Sequence, residues 1–265
     1  DNLVHQPYHK FEADSLTFNP SGTSGDINVV SSSSFWVSAH VGQNFRIGLK
    51  QFTVNSITNA TTAACTVREN FANSNVTDDW QEPAISSTRG HPRSCCFHSG
   101  RLVFGGTRDL PNFIFASKTS DYFNFDAGEA ADDDSIQVQI LESQVSEITG
   151  VLSFRHLLVF TDNSELYSPT SANAPLTPSN VSFRRQTRYG TSRLQAKEFD
   201  EAIVFLSKGK KSLREFTYDD IKQAYLSPSV SLLSGHLIDN PVGLEIQTEN
   251  DQGQESYAYI INGDG

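Results

Sequence analysis

The sequence is poor in positive charge. Its 265 residues include 20 Lys and Arg against 31 Asp and Glu, which gives a formal net charge of −11 and an isoelectric point near 5.0. Proteins that grip duplex nucleic acid usually carry a basic face, so this balance argues against tight phosphate binding. It is compatible with an acidic surface past which nucleic acid slides without sticking.

Cysteine is scarce as well. The three cysteines, Cys65, Cys95 and Cys96, are too few for a disulfide framework. Cys95 and Cys96 are adjacent, so their side chains point to opposite faces if they lie in a strand. We interpret them as small buried hydrophobic residues, with a metal-binding or redox role as the alternative.

Long apolar runs and the common catalytic motifs are missing. No apolar run approaches the roughly 20 residues of a membrane-spanning helix, so we expect no membrane insertion. The sequence also lacks a glycine-rich phosphate loop, a serine nucleophile elbow and the spacing of zinc ligands. We therefore predict no catalytic, cofactor-binding or metal-binding residues, and we expect that the protein is not an enzyme.

What the sequence does contain is a succession of short apolar runs. Aromatic residues make up 11% of the chain and include 18 Phe, a composition that favours half-buried sheets. In the stretch 89–126, apolar runs at 95–97, 102–104 and 113–115 are separated by residues typical of turns. This is the pattern of consecutive antiparallel hairpins, and it predicts an all-β protein.

We predict two β modules. Residues 1–14 are interpreted as a solvated, fraying N-terminal segment, and residues 15–72 contain short strands that favour a small β-barrel or sandwich. Residues 73–92 are rich in turn formers and proline, and we interpret them as a connector that Trp80 anchors on a core. Residues 93–265 form the second module.

The second module carries a repeat. Apolar strands begin near Leu102, Leu157, Ile203 and Tyr257, a spacing of roughly 50 residues that is typical of propeller blades. A small sheet cannot bury both of its faces alone, so such blades must stack around an axis. Because closed propellers need about four to eight blades, we predict an incomplete β-propeller.

Three stretches depart from the simple strand pattern. Residues 262–265, Asn-Gly-Asp-Gly, form a turn pattern without a returning strand, and we expect further strands from outside these 265 residues. Residues 192–201 and 218–225 are the only two candidates for helical turns.

The densest carboxylate cluster consists of Asp126, Glu129, Asp132, Asp133 and Asp134. Paired carboxylates can bind Ca²⁺ or act as general acid and base. The cluster lacks the alternating Asp/Asn spacing and the distal Glu of a calcium loop. We interpret it as a solvated acidic loop, and metal binding is the alternative.

Two further patterns suggest binding or catalysis. Ser120-Asp121 resembles the Asp-box turn of sialidase propellers, but a glycosidase would need convergent acid, nucleophile and arginine positions. The observation that would favour it is a pocket in which two or three of these residues meet: Asp121, Asp126, Asp132, Asp133, Asp134 and Arg108. Basic residues form two groups: Arg184, Arg185, Arg188 and Arg193, and Lys208, Lys210, Lys211 and Arg214. We interpret the second group as a charged hairpin tip and strand, with partner binding as the alternative.

Several segments resemble, in the same order, large structural proteins of tailed bacteriophages, above all the tail nozzle or tail-hub proteins of short-tailed phages. The segments are 89–93, 97–102, 104–106, 116–117 and 121–126, followed by 132–136, 206–207, 214–218, 231–233 and 236–238. The resemblance extends over roughly residues 80–265.

Residues 15–72 are similar to a small β-barrel insert in such phage proteins, which itself resembles the first catalytic-cysteine half-domain of ubiquitin-activating enzymes. Segments 41–42, 57–61 and 65–67 carry this likeness. It implies no ubiquitin chemistry, because no adenylation motif is present and Cys65 falls in a strand pattern.

The resemblance implies a virion component that is made in the host cytoplasm and built into a phage tail. Such proteins form rings, typically hexamers, below the portal and adaptor, and they extend the channel through which the genome leaves. The implied partners are further copies of the chain, portal or adaptor and tail-fibre proteins, and DNA that passes without sequence-specific binding. The alternatives are a propeller glycosidase or depolymerase, and a receptor- or carbohydrate-binding tail module.

Overall fold

The prediction of an all-β protein is confirmed. A computed structural model describes residues 5–128, 131–142, 144–169, 175–248 and 255–263. Helical residues in these ranges are confined to two 3-10 turns, Ser38–His40 and Gly235–Leu237. In the same ranges no helix has the length and apolar character needed to cross a membrane.

The chain divides into two compact units. The first unit comprises Asp1–His91 together with Thr107–Leu110, and the second comprises Pro92–Gly106 together with Pro111–Gly265. Along the chain, Thr107–Leu110 of the first unit therefore falls between two segments of the second unit.

The first unit is one antiparallel sheet of seven strands. Its strands are β1 (Tyr8–His9), β2 (Phe18–Pro20), β3 (Asp26–Ser31), β4 (Asn44–Ile47), β5 (Lys50–Asn59), β6 (Thr62–Val67) and β7 (Trp80–Pro83). The order across the sheet is β1-β7-β4-β5-β6-β3-β2. In β3 buried and exposed residues alternate along the whole strand, as expected when one face of a sheet covers a core.

This sheet is not a closed barrel. Strand β2 meets the segment before β7 in a single bridge, in which the backbone of Phe18 and Thr77 exchanges hydrogen bonds of 2.8 and 2.9 Å. Strand β7 already has β1 on one edge and β4 on the other. Because a strand has only two edges, β2 cannot pair along β7 and complete a barrel.

Two segments predicted to lie outside the first module contribute strands to its sheet. Residues 1–14, predicted as a fraying end, supply β1, and Tyr8 is buried. Residues 73–92, predicted as a connector, supply β7, where Trp80 is fully buried. The composition of these segments suggested that their backbone N–H and C=O groups would be solvated. These groups instead form hydrogen bonds with strands that are distant in sequence.

The core of the first unit is a stack of aromatic rings. Phe18 lies between Trp80, at a centroid distance of 4.0 Å, and Trp36, at 5.1 Å. Phe45 and Phe52 extend the stack and are fully buried. The Trp80 indole Nε1 donates a hydrogen bond of 2.7 Å to the backbone oxygen of Leu16, so its polar atom is satisfied inside an apolar core.

The second unit contains three four-stranded antiparallel sheets and a final hairpin. Sheet 1 contains β8 (Ser94–His98), β9 (Arg101–Gly105), β10 (Phe113–Ala116) and β11 (Ile136–Gln139). Sheet 2 contains β12 (Ile148–Ser153), β13 (Leu157–Thr161), β14 (Glu165–Tyr167) and β15 (Arg184–Thr187). Sheet 3 contains β16 (Lys197–Phe199), β17 (Ala202–Leu206), β18 (Leu213–Asp219) and β19 (Ala224–Leu226). The hairpin consists of β20 (Pro241–Gln247) and β21 (Tyr257–Asn262).

Successive sheets share cores. One buried cluster joins sheets 1 and 2, a second joins sheets 2 and 3, and a third joins sheet 3 to the hairpin. In β13, Val159 belongs to the first cluster and Phe160 to the second. In β17, Phe205 belongs to the second cluster and Val204 to the third. Both strands are continuous apolar runs because both of their faces are covered.

Glycine allows the close approach of sheets 1 and 2. A Cβ atom added to Gly105, the last residue of β9, would lie 2.6 Å from Val151 Cγ1 in β12. Gly106 follows with a φ of +55°, in the left-handed region that glycine adopts at little cost. The glycine pair that interrupts the second apolar run therefore sets the spacing between two sheets.

Each of the four apolar strands of the predicted repeat is the second strand of its own sheet or hairpin: β9, β13, β17 and β21. The propeller itself is not confirmed and stays a prediction. The helical turn predicted for 218–225 is wrong at both ends, which belong to β18 and β19. The stretch 192–201, too short and mixed to assign from sequence, contains β16.

Replacing Trp80 with Ala should destabilise the first unit strongly. The substitution opens a cavity in the aromatic stack, and such losses cost about 3–5 kcal/mol. Trp80→Phe retains an aromatic ring and should cost less. Urea unfolding measures both effects, and Val76→Ala, at an exposed position, is the control. Equal stability of Trp80→Ala and the control would contradict this account of the core.

Candidate functional site

The acidic loop is organised by a buried arginine. Arg101 in β9 is only 1% exposed. Its guanidinium donates hydrogen bonds of 2.7 Å to the backbone oxygen of Ser117, 2.7 Å to that of Asp132 and 2.5 Å to that of Asp134. The loop is therefore attached to sheet 1 through its carbonyl groups, which leaves the side chains of Asp132 and Asp133 exposed.

The last carboxylate of the cluster is packed rather than solvated, which corrects the prediction at this position. Asp134 is buried, accepts a hydrogen bond from the backbone N–H of Ala131 and pairs with Lys118 Nζ at 2.8 Å. A Cβ atom on Gly128 would collide with the Asp134 carboxyl. Glu129 lies outside the described residues.

Metal binding has no support in the described residues, where no three His, Cys, Asp or Glu side chains are arranged to hold an ion. Of the residues of the glycosidase alternative, Asp134, Asp126 and Asp133 lie near Lys118 and raise its pKa. Asp121 is exposed in a turn that bridges back to Lys118. Arg108 belongs to the first unit, where its Nε donates to Asp109 at 2.7 Å and its Nη2 to the backbone oxygen of Thr88.

The cysteines fulfil different parts of the prediction. Cys65 is buried and Cys96 is half-buried, and burial raises the pKa of each thiol to about 12. Cys95 is exposed, so the interpretation of both adjacent cysteines as buried is wrong for this residue. The alternation follows from the opposite faces of β8.

Four of the eight clustered basic residues form ion pairs within the second unit. Lys208 contacts Asp162 at 2.9 Å, and Lys211 contacts Asp239 at 2.7 Å. The other two pairs are Arg185 with Glu142 and Arg193 with Glu147. Such exposed pairs add little stability individually, but each places a carboxylate beside a cation.

A buried carboxylate that gave no sequence signal lies in sheet 2. Glu165 in β14 is fully buried. It accepts hydrogen bonds from the hydroxyl of Thr187 at 2.5 Å, from the N–H of Tyr189 at 3.3 Å and from the hydroxyl of Thr191 at 3.3 Å. Burial raises the pKa of this carboxyl, although the three hydrogen bonds lower it.

The first unit contains a polar cleft that sequence reasoning also missed. This first-unit cleft has a volume of about 480 Å³ and is lined by Glu12, Ser34, Phe35, His40, Thr88 and Arg89, among others. The lining residues come from three segments that are far apart in sequence. No short motif could have identified it.

Arg89 is the central cation of the first-unit cleft. Its Nε and Nη2 donate to Glu82 at 2.9 and 2.6 Å, and Nη2 also donates to Glu12 at 3.1 Å. Asp109 lies 3.6 Å from Nη1. The guanidinium also lies over the ring of Phe11, 4.2 Å from its centroid. Three carboxylates therefore neutralise one arginine, which joins three distant segments.

Exposed apolar residues mark a second candidate surface, in the second unit. We define the leucine segment as Val230, Leu232, Leu233 and Leu237; Leu232 and Leu233 are 79% and 92% exposed. The segment is fixed to the hairpin by a hydrogen bond of 2.9 Å from the Asn262 side chain to the backbone oxygen of Leu237. Large apolar side chains that are exposed close to one another are typical of a surface that a partner covers.

Glu165→Gln should change the pH dependence of stability. The folded-state pKa of Glu165 lies above its ordinary value of 4.5. The stabilisation that its protonated carboxyl gives the folded state is therefore fully present below pH 4.5 and is lost as pH rises through the folded-state pKa. Gln cannot ionise. The variant should therefore gain stability relative to the wild type between about pH 4 and pH 7.

Urea unfolding at several pH values measures this difference. Glu198→Gln, at an exposed position in β16, is the matched control and should show a much smaller change. A pH-independent difference between Glu165→Gln and the wild type would rule out a raised pKa.

Comparison with known proteins adds no family assignment. The chain matches no model of a known protein family, and no curated protein sequence is significantly similar to it.

Proposed function

We propose that the chain is a structural subunit of a bacteriophage tail, nozzle-like in type, that assembles into a ring and extends the channel for genome exit. The observation that carries the proposal is a series of small sheets, stacked through shared cores, that ends on a hairpin with exposed Tyr257, Tyr259 and Ile261. The resemblance of ordered segments to nozzle proteins supplies the family.

The hairpin leaves part of sheet 3 uncovered. Within the described residues, only two strands lie against a four-stranded sheet. A groove of about 720 Å³ remains, lined by Val204, Leu213, Val230 and Ala258, among others. Ala258 lies in β21, so the groove lies beside this strand. We propose that further antiparallel strands fill the groove and complete a fourth propeller blade.

The outer face of the hairpin supports continuation of the propeller. Leu244 and Ile260 face the core shared with sheet 3, whereas Tyr257, Tyr259 and Ile261 are exposed on the opposite face. Strands β13 and β17 have continuous apolar runs because a sheet covers each face. Strand β21 is also a run of mostly apolar residues. We therefore propose that a further propeller blade covers its exposed face.

The leucine segment fits a second copy of the chain. A net charge of −11 makes copies repel one another, so contact is favoured where charges are paired and side chains are apolar. Next to the leucine segment, Lys211 pairs with Asp239 at 2.7 Å. A homo-oligomeric ring formed through this surface is therefore part of the proposal.

The acidic balance suits a conduit for DNA. A negative wall does not trap a polyanion, and four of the eight clustered cations are paired with neighbouring carboxylates. In this proposal the genome passes without sequence-specific contacts, and the chain works with portal or adaptor and fibre proteins in the virion.

The glycosidase alternative is less well supported. It needs convergent carboxylates, yet Asp132 and Asp133 are exposed and Asp134 is engaged by Lys118. Release of reducing sugar from host polysaccharide by the purified protein would favour this alternative over a structural role.

Leu233→Glu should weaken assembly. It places a charge in a surface that a second copy is proposed to desolvate, a change that commonly costs several kcal/mol. Sedimentation velocity over a range of concentrations should give an oligomer for the wild-type full-length protein and a monomer for the variant. Ile221→Glu, at a residue that is 96% exposed in another loop, is the control and should stay oligomeric.

Electron cryomicroscopy of the full-length protein, alone and on virions of the phage that encodes it, tests the proposed location. We expect a ring below the portal. A protein that is monomeric at every concentration and missing from virions would rule out the nozzle function.

A further inference from the structure

One ring nitrogen of His40 is open to the first-unit cleft. His40 is 96% buried, since only 4% of its surface is exposed, and its ring packs against Phe35 and Phe45. Its Nδ1 accepts the backbone N–H of Val37 at 3.4 Å. Nε2 is not one of the fully buried atoms left without a partner in the described residues, and it is reachable from the cleft that His40 lines.

The protonation state of His40 determines which hydrogen-bonding group the ring presents to the cleft. Burial, together with the charge of Arg89, lowers the pKa of His40 to about 4, so the ring is neutral at neutral pH. Because Nδ1 is an acceptor, the single proton of the neutral ring lies on Nε2. The cleft therefore presents an N–H donor.

The charges of the cleft disfavour ionic ligands. Arg89 is already bound by Glu12, Glu82 and Asp109, so an added anion would meet surplus negative charge. A cation would have to take these carboxylates from Arg89, and the pair with the buried Glu82 is costly to break. A neutral ligand avoids both penalties.

The remaining groups match a hydroxyl-rich molecule. The Glu12 carboxylate can accept hydrogen bonds, the hydroxyl groups of Ser34 and Thr88 can donate or accept them, and the half-buried ring of Phe35 offers an apolar face. A volume of about 480 Å³ is within the range of small-ligand pockets, about 300–1,000 Å³.

We propose that the first-unit cleft binds a neutral saccharide unit. His40 Nε2–H donates to one sugar hydroxyl, Glu12 accepts from another, and the C–H face of the sugar packs on Phe35. This inference does not depend on ring assembly, and it gives the carbohydrate-binding alternative a defined site.

Amide chemical-shift mapping of the protein with glucose, galactose and N-acetylglucosamine as separate probes tests the proposal. At least one neutral sugar should shift residues 33–40 and 86–90 in a saturable manner. Glucuronate, the anionic analogue of glucose, should bind more weakly. No shift with any neutral sugar, or tighter binding of glucuronate than of glucose, would overturn the proposal.

Two substitutions remove the proposed contacts. Glu12→Ala, at an exposed position, and His40→Phe, which keeps a ring in the core, should each weaken binding about tenfold, the loss of one hydrogen bond to a ligand. Asp14→Asn, in the same segment but outside the cleft lining, should bind like the wild type. If His40→Phe does not fold, Glu12→Ala decides, and unchanged affinity in Glu12→Ala would refute the assignment.

Discussion

The second unit depends on one constraint: a four-stranded antiparallel sheet has two faces and can bury neither by itself. Sheets 1, 2 and 3 meet this constraint by sharing a buried cluster with the next member of the series. Strands β13 and β17 are buried on both faces as a result, and Gly105 provides the space that brings β9 close to β12. The same constraint applies to β21, which has a largely apolar sequence but exposes Tyr257, Tyr259 and Ile261.

Charged side chains inside both units act mainly as connectors. Arg101 attaches the acidic loop to sheet 1 through backbone oxygens, and Arg89 joins three segments through Glu12, Glu82 and Asp109. Removing one member of a buried pair leaves an uncompensated charge. Such groups therefore favour the one conformation in which they are paired, even where their net stabilisation is small. Of the carboxylates that suggest catalysis in the sequence, Asp134 is paired with Lys118, whereas Asp132 and Asp133 are exposed.

The two proposals concern different units. Assembly is assigned to the second unit, where the leucine segment and the hairpin face expose apolar side chains. Sugar binding is assigned to the first unit, where His40 and the paired Arg89 line one cleft. Because the two sets of residues belong to different units, a substitution such as Leu233→Glu is expected to affect one property and leave the other intact.

The sequence by itself determined the all-β class and the spacing of the second strands of the sheets, because a strand covered on both faces must be a continuous apolar run, as in β13 and β17. It did not determine that β1 and β7 join one sheet, since Tyr8 and Pro83 pair across a distance that no local pattern records. It also gave no sign of the partners of Arg101, the burial of Glu165 or the cleft around His40. Those features depend on strand register and on contacts between distant segments, which only the tertiary structure decided.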